Sequence, residues 1–403
     1  MPILGLVAAA VLLTTVPLVK TAQAQTYNIL YKFRGGTDGY QPSAGLTLDR
    51  AGNLYGTEPF GGSRLHGSAF RLRHARNWVH TILHSFGGGN DGVGPFARIV
   101  IGPDGNLYST TLAGGVGGCG TIFKLAMPTT ARQFLVGNWT ETVMYRFTNV
   151  PDGCLPGSGT IVFDENGVLY GTTNRGGVQC DPIDGGCGTV YSMIGGNVRI
   201  LYRFTGGLDG SRPSSGVIVD RAGNLYGTTV YGGPYGFGTV YELSPSDTGW
   251  VEKVLYNFTN GNDGAEPGGG LIFDASGNLY GTTFYGGSGG GGTVFKLAPD
   301  GTFTVICSLV GRPGPTDSLV MDTEGNLYGT TYQGGAFGYG SVFKLTPQQD
   351  GSWLYTDLHD FGVYEGAYPK GGVILDGQGN LYGTTSSGHI EFAPHGLVYE
   401  ITP

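Results

Sequence analysis

Charge is scarce in this chain. Only 13% of its 403 residues are Asp, Glu, Lys or Arg, about half the usual share of roughly 25%. The formal balance is −8, and no run of lysines or arginines interrupts it. Those absences leave no electrostatic footprint for nucleic acid or for an anionic membrane surface. Helical periodicity is missing too: short β-branched and aromatic runs bounded by Gly, Pro and Asp show no 3.6-residue spacing, which excludes a helical solenoid. Beyond the N-terminal stretch no apolar run is long enough to span a bilayer, so no membrane insertion of the mature chain is expected. His66, His74, His80, His84, His359, His389 and His395 show neither the i, i+4 pairing nor the cysteine partners of a zinc site. No metal ligand set and no cofactor is therefore expected. A Ser/His/Asp set in a confirming context, a P-loop and a dinucleotide fingerprint are likewise missing, so no catalytic residue is assigned.

What is abundant is glycine, 78 residues, together with 24 tyrosines and 20 phenylalanines. Glycine in excess suggests disorder, but aromatics at set positions bury enough surface to offset chain entropy. The positions are set by a repeat. Gly52-Asn-Leu-Tyr-Gly-Thr57 recurs in close variants from Gly105, Gly167, Gly223, Gly277, Gly325 and Gly379, each preceded by an aspartate. Successive repeat tyrosines lie 48 to 62 residues apart, the length of one four-stranded propeller blade with generous loops. Repeat five shows the strands in order: A at Leu271 to Asp274, B at Asn278 to Thr283, C at Thr293 to Leu297 and D at Phe303 to Leu309. Asp274, Gly277 and their counterparts read as a tight A–B hairpin, with the Asp accepting turn N–H groups and Gly supplying the left-handed residue.

Seven A–B–C sets are present, yet the chain opens with an extra D-type strand, Tyr27 to Phe33, and ends just after a strand C at Ile401. A first strand that completes the last blade closes the ring and leaves no long edge exposed. The expected fold is therefore all-β, a seven-bladed propeller of four-stranded antiparallel blades over residues 27–403; an open β-solenoid would have no use for the permutation. Residues 1–24 read as a secretory signal peptide, with an apolar core from Leu4 to Val19 and the small residues Ala22 and Ala24 before Gln25, although the n-region lacks Lys and Arg. An uncleaved anchor is the other reading. Either one places the repeats outside the cytoplasm, secreted or periplasmic.

Five cysteines in that setting allow two disulfides. Cys180 and Cys187 sit in the longest B–C loop and are expected to close it; Cys119 and Cys154 would share one propeller face and could bridge two blades, though spacing leaves the other pairings open. Cys307 reads as a buried free thiol. With strand A innermost, the D–A and B–C loops fall on one face. The D–A loops carry Asp38, Asp91, Asp152, Asp209 and Asp263, with Glu365 in a looser version and a shortened loop before repeat six. The B–C loops carry Phe60, Tyr231, Tyr235, Phe237, Tyr285, Tyr332, Phe337 and Tyr339. Aromatic rings beside carboxylates and backbone amides suit sugars, whose C–H faces stack while their hydroxyls seek polar partners. The structural reading of the same residues is turn chemistry and loop packing. The acidic stretch from Asn260 to Glu266 breaks calcium-loop spacing, and calcium is left open.

These motifs, Asp-x-x-Gly-Asn-Leu-Tyr-Gly-Thr-Thr followed by Gly-Gly and Gly-Thr-Val-Phe-Lys-Leu, resemble the GloVer (Gloeo/Verruco) tandem repeat of exported bacterial proteins over residues 27–403. The resemblance implies export but no catalytic activity or defined ligand; the family's usual C-terminal sorting signal is not found before Pro403. The Asp-x-x-Gly-Asn hairpin is also similar to that of NHL-type propellers, which are mostly binding platforms. The expected function is a monomeric, non-enzymatic module that binds an extracellular glycan or a surface protein. A carbohydrate-active hydrolase or lyase with carboxylates near the channel is the alternative, and a purely structural repeat protein the second.

Overall fold

The structure, a computed structural model, describes residues 25–130, 139–180, 185–311, 314–315, 317–362, 364–388 and 394–402. The leader expected at 1–24 and His389 lie outside the described residues. Seven four-stranded antiparallel sheets follow one another along the chain. In blade one the strands are A (Thr47–Leu48), B (Leu54–Glu58), C (Ser68–Arg73) and D (Val79–Ser85). In blade seven A is Ile374–Leu375, B is Leu381–Thr385 and C is Leu397–Thr402, and the outermost strand is Thr26–Lys32 from the opposite end of the chain. The closing strand pairs Tyr27 with Ile401 and Lys32 with Leu397. Phe33 falls just past it but stays buried, its N–H donating to the Gly396 carbonyl at 3.0 Å.

Six of the seven blade interfaces are filled by one recurring aromatic contact; between blades five and six strand D is followed by Gly311 instead. The residue after strand D is Phe33, Phe86, Phe147, Phe204, Phe258 or Phe361, and all six are buried. Each ring meets an aromatic of strand C in the next blade, as in Phe86–Phe123 at 4.9 Å and Phe204–Tyr241 at 5.0 Å between centroids. Glycine on strand B makes room for that strand-C ring. A Cβ on Gly56 would lie 2.5 Å from Phe70 Cζ, and one on Gly171 2.4 Å from the Tyr191 hydroxyl. The hydrophobic clusters consequently span neighbouring blades: Tyr55 and Ala69 of blade one pack with Ile99, Leu107 and Phe123 of blade two.

All four tryptophans stand directly before or at the start of a strand D. Trp78, Trp139 and Trp353 lie edge-on to the repeat tyrosine of the preceding blade, Tyr382, Tyr55 and Tyr280, at 6.2 to 6.4 Å. Trp250 packs into the cluster that holds Tyr170. The sequence reading assigned the repeat tyrosines to the core; their hydroxyls do more. Tyr55 donates to Asp49 at 3.1 Å, while Asp49 also accepts the Ala51 and Asn53 N–H groups at 2.8 and 2.9 Å. Blade two departs from this pattern: Gly102 occupies the usual aspartate position, and Asp104 accepts instead from the Asn106 amide and the Tyr108 hydroxyl.

Strand D differs from its sequence reading in one respect. Its pairing with strand C shifts register in every blade, once in six of them and twice in blade five, for example between Val240/Tyr241 opposite Tyr256/Val254, which skips Leu255. A bulge of this kind bends the outer strand and raises its twist.

Candidate functional site

Strand A is innermost and short, so the D–A and B–C loops emerge together on one face. Antiparallel bridges join them in six blades: Tyr40 with Phe60, Val93 with Ala113, Cys154 with Arg175, Ser211 with Tyr231, Ala265 with Tyr285 and Ala367 with Ser387. Glycine permits the contact. A Cβ on Gly232 would sit 2.5 Å from the Gly210 Cα, and both residues have positive φ. The disulfides reinforce the same face, joining Cys119 to Cys154 between blades two and three and Cys180 to Cys187 within one loop. Cys307 is free, but it is half-buried, not fully enclosed as its strand position had suggested; burial pushes its thiol pKa up.

The five loop aspartates turn inward. Asp152 accepts from the Tyr145 hydroxyl at 2.7 Å and from the Thr148 N–H and hydroxyl at 3.1 and 2.8 Å. Asp209 accepts from Tyr202 and Thr205 in the same way, and Asp263 from Tyr256, Thr259 and the Gly261 N–H. Asp38 takes the Tyr31 hydroxyl and the Arg34 N–H; Asp91 takes the Gly87 N–H and faces His84. These carboxylates fix the loop that follows each strand D.

The loop aromatics divide into two sets. Tyr235 and Phe337 are 58% and 63% exposed at loop tips, and Phe60, Tyr231 and Tyr285 are also exposed. Arg212 lies 5.1 Å over the Tyr231 ring. Phe237 instead packs inward beside Phe258 and Leu271, and Tyr339 packs toward Phe361 and Tyr368. Tyr332 is half-buried, 5.3 Å from the Tyr368 ring. The sequence reading passed over Leu65, Val116, Leu208, Val310 and Tyr364, exposed apolar residues at or beside the same loops. The first four are aliphatic and gave no aromatic signal; Tyr364 lies in the loosened D–A loop, outside the B–C set.

Internal comparison sharpens the picture. The B–C bridge position is Phe60, Ala113, Arg175, Tyr231, Tyr285 or Ser387 on one repeated backbone geometry. The framework is held constant while this surface position varies.

The channel offers less. A cavity of about 460 Å³ is lined by strand-A residues including Val162, Ile218, Ile272 and Val320. Arg98 spans its mouth to Asp317 at 3.3 Å, tying blade two to blade six. Asp317 also accepts the Gly372 and Ser318 N–H groups, each at 2.7 Å.

Four glutamates are shifted upward: burial raises Glu266, and Glu58, Glu141 and Glu252 are raised further, to about 7. Glu58 is fully buried where the other repeats carry threonine. Desolvation pushes its pKa up to about 7 despite the opposing pull of nearby His80 and of the Ser68 hydroxyl, which donates to it. Glu252 is raised to about 7 by desolvation and then by Asp209. Glu141, also raised by desolvation and Asp91, joins His84 and Asp91 in a cluster in which one ligand atom of each lies within 4.8 Å of the others. Histidine spacing could not show this cluster, because its members come from three separate elements.

Among curated proteins, none matches this sequence. Solved structures give likenesses at the level of fold. The extracellular domain described as that of a hybrid two component system from B. thetaiotaomicron is 11% identical, with a TM-score of 0.55 over 92% of this chain and 39% of that one. An ancestral GH74 enzyme is 12% identical, with a TM-score of 0.54 over 90% of this chain and 51% of that one. A gluconolactonase from Xanthomonas campestris is 13% identical, with a TM-score of 0.44 over 76% and 86%. The chain thus spans about half or less of the first two. The profile of the Gloeobacter/Verrucomicrobia repeat matches residues 18–181 and 180–393. Those two segments take in nearly all of the repeats, and the chain belongs to the Gloeobacter/Verrucomicrobia repeat family.

Proposed function

We propose that this propeller is an exported, non-enzymatic binding module whose ligands are saccharides, taken on the face built by the D–A and B–C loops. The observation that carries the reading is the set of exposed rings, Phe60, Tyr231, Tyr235, Tyr285 and Phe337, on loops held by a repeated hydrogen-bond frame. Rigid aromatic platforms bind without losing much side-chain entropy. In this reading Tyr231, Tyr235, Tyr285 and Phe337 stack on sugar rings. Tyr332, Phe237 and Tyr339 support them from below, and Asp38, Asp91, Asp152, Asp209 and Asp263 keep the loops in shape. Two disulfides support a location outside the cytoplasm. Among the described residues no helix is long and apolar enough to cross a membrane.

A hydrolase would need carboxylates converging on the channel. Asp317 at the mouth is engaged by Arg98, Ser318 and Gly372, so the reading stays with binding.

The test is a saccharide panel followed by calorimetry. Wild-type protein should bind at least one oligosaccharide without cleaving it, and a Tyr235→Ala, Phe337→Ala variant should bind it at least about tenfold more weakly, the loss of roughly 1.4 kcal/mol or more. Release of shortened sugar, or binding unchanged in the double variant, would overturn the proposal.

A further inference from the structure

We propose that His84, Asp91 and Glu141 form a divalent-cation site that ties blade one to blade two. His84 lies in strand D of blade one, Asp91 in the loop that follows, and Glu141 in strand D of blade two, Thr140–Arg146. His84 Nε2 is 3.2 Å from Asp91 Oδ1, and one donor atom from each of the three residues falls within 4.8 Å of the others. Donors bound at about 2.0–2.2 Å to one metal are roughly 3.0–3.5 Å apart, so the histidine–aspartate edge already has the right span and Glu141 needs only a small rotation. One imidazole and two carboxylates suit zinc, manganese or ferrous iron better than calcium or magnesium.

The repeat supplies a second argument. At the position of His84 the neighbouring repeats place Tyr31, Tyr145, Tyr202 and Tyr256, each donating a hydroxyl proton to its loop aspartate. A tyrosine hydroxyl there can only donate to the carboxylate; an imidazole can also hydrogen-bond it, but adds a ring nitrogen able to ligate a metal. Glu141 and Glu252 share one register position, where blade three carries Val198, and His84 and His359 share another; among the described residues the glutamate and the histidine meet only between blades one and two, since His359 faces Tyr27 and Glu252 faces Tyr202. Glu141 Oε1 is shielded from solvent and has no hydrogen-bond partner. Blade four holds a natural control: Glu252 stands near Asp209, but the third member is Tyr202 and the imidazole is missing. Arg64 acts on Asp91, and Arg146 on Glu141. These guanidinium charges already offset part of the negative charge, so affinity in the micromolar range is expected.

The experiment uses untagged full-length protein, stripped with chelator, and titrates it with zinc chloride in a calorimeter. Wild-type protein should take up one equivalent of zinc. Glu141→Gln and His84→Ala should each weaken uptake at least about tenfold, and Glu252→Gln should leave it unchanged. Cobalt provides an independent readout: its visible absorption on binding should be lost in His84→Ala. Circular dichroism checks each fold, and if His84→Ala is misfolded, Glu141→Gln carries the comparison. Failure of wild-type protein to bind zinc stoichiometrically, or equal uptake by wild type, His84→Ala and Glu141→Gln, would overturn the proposal.

Discussion

At the scale of single residues, Glu58 is the largest departure from the repeat. Elsewhere its position holds Thr111, Thr173, Thr229, Thr283, Thr331 or Thr385, and five of these pair with a strand-C hydroxyl, as Thr229 does with Thr239 at 2.9 Å. Glu58 instead bonds Ser68 and faces His80 Nε2 at 3.8 Å, while His80 Nδ1 lies 3.3 Å from Asp38. Burial alone would lower the His80 pKa, but Asp38 and Glu58 hold it above its ordinary value. Both groups therefore bind protons more tightly in the folded chain than in the unfolded one. Stability from them is present at low pH and is lost as pH rises from about 4.5 through about 7 for Glu58, and further up for His80. Glu58→Thr should flatten that slope, by on the order of 2–3 kcal/mol between pH 5 and 8. Denaturant melts across that range check it, and parallel profiles for the two proteins would rule it out. None of this was legible in the sequence. Glu58 follows the hexapeptide and reads as a neutral variation until strand D brings His80, and the preceding loop Asp38, beside it.

At the scale of the element, the blade was largely readable. The Asp–Gly hairpin, the strand order and the two-loop face follow from turn chemistry and alternation, which are local properties. Two features were not local. The bulge in strand D is set by twist against strand C, and the tryptophan contacts reach the previous blade. Trp139, buried against Tyr55, is the clearest case of the latter. Trp139→Ala should destabilise the molecule by about 3–5 kcal/mol, as large aromatic truncations in a packed core do. Trp78→Ala, at a half-exposed site, should cost less. Urea titrations of both variants would decide the order, and an equal, small loss would mean that the contacts do not staple the blades. The aromatic loop tips show the limit of reading from the other side: Tyr235 and Phe237 are two residues apart in one Gly-rich loop, yet one faces solvent and the other the interior.

At the scale of the whole molecule, closure rests on the pairing of Thr26–Lys32 with Leu397–Thr402. The ends are held elsewhere too: Gln41 donates to the His395 carbonyl at 2.8 Å, Thr384 to the Ala44 carbonyl at 3.2 Å, and Tyr27 stacks on His359 at 3.9 Å. Removing residues 26–33 should expose the edge of strand C in blade seven and leave Leu46, Leu54 and Phe70 without Phe33. The expected result is a chain that melts well below the parent and self-associates, read by calorimetry and light scattering; a truncated monomer as heat-resistant as the parent would contradict it. The same pairing also imposes an order of events on biosynthesis. Ile29 and its partner Tyr399 are separated by about 370 residues, and at roughly 5–20 residues per second the ribosome needs on the order of tens of seconds to make the intervening chain. The first strand to leave the tunnel is thus the last to find its mate, and until then the growing polypeptide carries an unclaimed β-edge at each end that a chaperone would have to shield.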